Sequence, residues 1–127
     1  MKRKFVIYRI SDIFENRCFC FDEEIAPDIL SLMEDEKFHD KIDYIVNRIL
    51  NQRFIYYDDY KKVDDDISEM RIFPNGINAR IYCKEIKTLN RCYYIIAAKY
   101  LPKKTSRKIN KQLKQFIEPI KSYDYEI

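Results

Sequence analysis

The chain has 127 residues, with 24 Lys/Arg against 21 Asp/Glu, a single Gly (Gly76), a single His (His39) and no Trp. One glycine excludes Gly-rich phosphate loops. One histidine argues against a Ser-His-Asp triad, and Cys18, Cys20, Cys83 and Cys92 fit no common zinc spacing, so neither metal nor cofactor is expected. The charge is split unevenly: residues 1–69 carry 11 Lys/Arg and 17 Asp/Glu, while residues 70–127 carry 13 and 4. Such a C-terminal half suits a phosphate backbone or an acidic partner, unless the two signs balance in space.

Length and a 46% apolar content predict one domain over residues 1–127. No apolar run approaches the ~20 residues of a membrane helix, residues 1–10 do not read as a secretory signal, and the thiols fit a reducing cytoplasm. "KFVIYRI" (4–10) reads as a covered or edge strand and "RCFCF" (17–21) as a second, with both thiols on one face. The two are expected to form an N-terminal hairpin. Asp22 is the expected cap of a helix running to about Glu36, with Pro27 near its start. A longer helix follows from about Lys37 to near Phe54, its apolar stripe formed by Phe38, Ile42, Ile45, Val46, Ile49 and Leu50. Residues 56–69 read as an acidic loop. "EMRIFPNG" and "ARIYCKEIKT" form a hairpin at Asn75-Gly76, and "RCYYIIAAKYL" is a third, central strand. A basic helix from about Arg107 to Phe116 follows, with Ile109, Leu113 and Phe116 buried. The fold class is α+β: an antiparallel sheet of 4–5 strands with two helices, a three-strand meander and a basic C-terminal helix.

Residues 99–114 hold Lys99, Lys103, Lys104, Arg107, Lys108, Lys111 and Lys114 without one acid. Tyr82, Tyr93, Tyr94 and Tyr100 lie on or beside the meander. Cations fix phosphates, and aromatic rings stack unpaired bases. For each single tyrosine, packing in the sheet is the simpler role.

The segments "KFHDKIDYIVNRIL", "EMRIFPNGINARIYCKEI" and "YYIIAAKYLPKKTSRKINKQLKQF" together resemble the RelE/HigB superfamily of bacterial toxins. The resemblance covers roughly residues 17–116, most clearly 68–108. Pro102 at the strand end and the strand at 4–10 depart from the family pattern. The resemblance implies a RelE-like fold and an mRNA interferase, an endoribonuclease restrained by an antitoxin and acting on mRNA, usually on the ribosome. The RNA 2′-hydroxyl is then the nucleophile, and Arg and Lys stabilise the phosphorane charge without metal. Arg80 matches the arginine after the turn and is the expected grip on the scissile phosphate. Arg71 matches the arginine before it; half-buried and structural is its simpler role, and phosphate binding is the other. Lys99, Lys103 and Lys104 match the basic strand end, with Lys103 or Lys104 the favoured proton-transfer or phosphate group. Arg107, Lys108 and Lys111 are expected on phosphates. Tyr123 and Tyr125 are candidates for a catalytic aromatic, although a tail packed on the sheet accounts for them more simply. Two alternatives stand beside this reading. One is a non-catalytic binder of the same fold. The other is a partner-dependent protein whose acidic 58–69 segment shields the basic face.

Overall fold

The computed structural model describes residues 2–51, 59–72, 79–102 and 111–127. The elements are β1 (Phe5–Ile10), β2 (Arg17–Asp22), α1 (Ala26–Leu32), α2 (Glu36–Asn51), β3 (Tyr60–Asp64), β4 (Ile67–Arg71), β5 (Arg80–Lys87), β6 (Tyr93–Leu101) and α3 (Lys111–Ile117), with a 3₁₀ turn at Glu118–Ser122. The fold is α+β. Among the described residues six strands lie in the order β1-β2-β6-β5-β4-β3, so β6 is interior, as its apolar run predicts, and β1 is an edge of that sheet.

Two expectations are corrected. The sheet has six strands rather than four or five, and it is mixed: β2 and β6 run parallel, while the other neighbours are antiparallel. The physical reason is the long connection from β2 through both helices and β3–β5, which returns β6 beside β2 in the same direction. The acidic segment is not a plain loop either. Tyr60–Asp64 pairs with Ile67–Arg71 as a hairpin at the sheet edge. Its charged side chains made it look like a loop, yet charged edge strands are an ordinary way of protecting a sheet edge.

The helices cover one face of the sheet. All six residues of the α2 stripe are buried against Phe19, Phe21, Ile81, Ile95 and Ala97. Each such side chain contributes about 1.5–3 kcal/mol before entropic costs. Asp35 begins α2, its carboxylate accepting from the Lys37 and Phe38 amides at 2.9 and 3.3 Å. Pro27 sits in the first turn of α1, where its missing N–H costs nothing. Asp22 does not cap that helix, which begins at Ile25 without a side-chain cap. The buried Asp22 carboxylate instead takes the Glu24 amide (2.8 Å), Arg3 Nε (2.7 Å) and the Tyr125 hydroxyl (2.7 Å). A buried carboxylate needs partners for its lone pairs, and here the third partner comes from the far end of the chain.

The C-terminal segment covers the opposite face. Leu113, Ile117 and Ile120 pack on Ile67, Tyr82 and Ala98, and Tyr125 closes a smaller cluster over Cys18, Cys20 and Ile96. Cys18 and Cys20 share that face with sulfurs 3.6 Å apart, and all four thiols are free. The Asn75-Gly76 turn and the start of the basic helix lie outside the described residues. No helix among the described residues is long and apolar enough to cross a membrane.

Candidate functional site

Strand alternation decides which side chains meet. On β4, Glu69 and Arg71 point to the α3 face; on β5, Arg80, Tyr82 and Lys84 do the same. The register sets Arg71 opposite Arg80, Glu69 opposite Tyr82, and Tyr82 opposite Lys99 of β6. Arg71, Arg80 and Lys99 therefore share one face of the meander. At ~4.8 Å between strands and ~3.3 Å per residue, the Cα atoms of Arg71 and Lys99 are about 12 Å apart.

The centre of this face is Glu69, which is fully buried. Its Oε1 accepts from Arg71 Nε at 3.2 Å and lies 3.4 Å from Arg80 Nε; its Oε2 accepts from the Tyr82 hydroxyl at 2.9 Å. Arg71 keeps part of its guanidinium in solvent, whereas Arg80 is only 5% exposed. Arg80 also donates from Nη1 to the Ala79 carbonyl at 3.3 Å. Burial lowers the Arg80 pKa, and the Glu69 charge acts against that shift. Burial and the Glu69 carboxylate push the Tyr82 phenol upward.

Two lysines tie this face to the C-terminal segment. Lys99 Nζ donates to the Phe116 carbonyl at 2.8 Å, over the Phe116 ring at 4.6 Å. Burial lowers the Lys99 pKa, with Arg3 adding to the effect. Lys84 Nζ donates to the Lys121 and Tyr123 carbonyls at 3.0 and 2.7 Å, with Asp66 at 4.0 Å. Asp64 meets Lys121 at 3.0 Å. The acids of the β3–β4 hairpin thus meet cations on this face.

Of the residues singled out from sequence, Arg71 and Arg80 meet at Glu69, while Lys99 shares their face but turns to the Phe116 carbonyl. Lys111 is exposed on α3. Lys103, Lys104, Arg107 and Lys108 lie outside the described residues. Tyr125 is buried in the tail cluster and Tyr123 is half-buried, its ring 3.9 Å beneath the Arg3 guanidinium. Glu69 and Lys84 were not anticipated. The available signal was a polar residue at every second position of β4 and β5, which marks a polar sheet face. Among the described residues, no group of His, Cys, Asp and Glu side chains is placed to hold a metal.

No protein-family model, curated protein or solved structure matches this chain.

Proposed function

We propose that the protein is an mRNA interferase of the RelE/HigB kind, a cytoplasmic toxin held in check by an antitoxin and acting on mRNA at the ribosome. The supporting observation is the cationic face of the meander, where Arg71, Arg80 and Lys99 surround Tyr82 on three adjacent strands. In this mechanism the 2′-hydroxyl oxygen attacks the adjacent phosphorus, and its proton passes to a base. The bond to the 5′-oxygen breaks, and that oxygen takes a proton as it leaves. Arg71 reaches solvent and meets the phosphate. Arg80, buried behind it and paired with Glu69, positions Arg71 and adds positive potential. Lys99 has a desolvated amine, which suits it to proton transfer. Lys103, Lys104, Arg107, Lys108 and Lys111 hold flanking phosphates.

A second reading, a non-catalytic nucleic-acid or partner binder, is favoured by one observation. Arg80 and Lys99 are already engaged, by Glu69 and by the Phe116 carbonyl. Translating ribosomes with purified protein separate the two. Cleavage of the message is expected, with Arg71→Ala and Lys99→Met each slowing it about a hundredfold while circular dichroism stays unchanged. RNA that shifts in mobility but is never shortened would establish the binder instead. Protein that neither shifts nor cuts RNA would refute both.

A further inference from the structure

At the other end of the sheet, the β1–β2 turn and the β5–β6 turn enclose an open cavity of about 580 Å³. This lies within the range typical of small-molecule sites. It is lined by three cations, Arg17, Lys87 and Arg91, with Phe14 and Tyr93 beside them and Glu15 as the one acid in the lining. Counting ~3.3 Å per residue along β5 from Arg80 to Lys87 sets it about 23 Å from the meander cluster. Arg17, Lys87 and Tyr93 belong to the helix-covered face, the reverse of the one that carries Arg80.

Arg3, Arg9, Arg71 and Arg80 each meet a carboxylate. Among the described residues, no carboxylate lies within ion-pair distance of Arg17, Lys87 or Arg91. Arg17 is nevertheless held in place. Its guanidinium sits 4.4 Å from the Phe14 ring centre and 5.5 Å from that of Tyr93, and Nη1 donates to the Ile49 carbonyl at 3.3 Å. Lys87 Nζ rests 5.2 Å from the same Tyr93 ring, and the Tyr93 hydroxyl is itself anchored on Glu85. A guanidinium fixed on aromatic rings loses little entropy when it takes an anion. Arg91 adds a second peculiarity. It is a non-glycine residue at φ 66°, in a turn where the Thr88 amide donates to the Cys92 carbonyl at 2.8 Å and the Cys92 amide donates to Thr88 Oγ1 at 3.0 Å. Such a residue normally avoids that conformation, and sites that bear the strain are often functional.

We propose that this cavity binds the phosphate group of a nucleotide, with Arg17 as the fixed fork, Lys87 and Arg91 closing on the same group, and the nucleoside lying toward Phe14. An aromatic-flanked trio of unpaired cations favours a phosphate over a carboxylate, since a tetrahedral dianion offers three oxygens to three donors. The site is independent of the interferase reading, because it uses none of those residues and is assayed without ribosomes.

Cys92 supplies a built-in reporter. It lines the cavity and is half-buried, whereas Cys18, Cys20 and Cys83 are buried. Alkylation of Cys92 should be slowed by a nucleoside 5′-monophosphate and left unchanged by the nucleoside alone. Calorimetry should give saturable binding, weakened about tenfold or more in Arg91→Asn and in Lys87→Gln. Asparagine tolerates the positive φ, so Arg91→Asn removes charge without adding strain. A 5′-phosphorylated oligoribonucleotide run in parallel separates the sources. Tighter binding than the mononucleotide means that the phosphate belongs to an RNA end, and equal or weaker binding means a free nucleotide. Equal protection by nucleoside and nucleotide, or unchanged affinity in both variants, would overturn the assignment. So would binding of an acidic peptide with no binding of the nucleotide.

Discussion

Glu69→Ala is the most informative single perturbation of the sheet. It deletes a fully buried carboxylate that faces Arg71 at 3.2 Å, Arg80 at 3.4 Å and the Tyr82 hydroxyl at 2.9 Å. Arg71 can turn to water, but Arg80, 5% exposed, is left as a charge with little solvent. Removing one member of a buried ion pair costs about 3–5 kcal/mol, and an orphaned buried hydroxyl about 1–3 kcal/mol. Relaxation and water entry reduce the sum, so a loss of about 4 kcal/mol is expected. For a chain of 127 residues that lowers Tm by about 15 °C. Replacing the whole cluster with apolar groups of similar size, Glu69→Leu with Arg80→Met and Tyr82→Phe, should return stability to within about 2 kcal/mol of the parent. Urea unfolding followed by far-ultraviolet circular dichroism measures both variants. The reasoning is refuted if Glu69→Ala costs under about 1 kcal/mol, or if the triple variant loses as much as the three single changes summed, since either result would mean that water already screens the cluster.

Lys84→Met should loosen the C-terminal segment selectively. The ammonium, 8% exposed, joins the Lys121 and Tyr123 carbonyls to β5, and charged hydrogen bonds of this kind contribute about 1.5–3 kcal/mol. Amide exchange should accelerate over residues 118–127 more than in α2; a uniform change would contradict this. Alkali provides a third test. Burial raises the phenols of Tyr8, Tyr60, Tyr82, Tyr93 and Tyr125, with Tyr8 pushed up to about 12, its hydroxyl also bonded to Asp43. Above pH 10 the unfolded chain releases phenolic protons that the folded chain retains, so their contribution is complete below pH 10 and is lost as pH rises past it. For Tyr8 that window runs from 10 to about 12. The tyrosinate absorbance of these five phenols should therefore rise cooperatively with unfolding, and a gradual titration of all tyrosines near pH 10 in folded protein would count against the burial described here.

Local patterns in the chain were enough to determine some of its elements. The stripe from Phe38 to Leu50 dictates α2 because side chains spaced by three and four residues fall on one helix face. The long run in β6 requires an interior strand, and alternation places both N-terminal thiols on one side. These patterns reach only a turn or a strand pleat, so they carry no information about which distant segments meet. Strand order was decided by tertiary structure, since a parallel β2–β6 pair depends on where the chain returns after some seventy residues. So was the pairing of β3, whose Lys and Asp side chains resemble those of a loop until β4 lies beside them. The partners of each ion were decided in the same way. Arg80 read from sequence is a free cation, and only when β4 aligns with β5 does Glu69 take it out of solvent. Charge acts over ångströms in space, while sequence records neighbours along the chain, and that difference separates the predicted elements from the polar face they build.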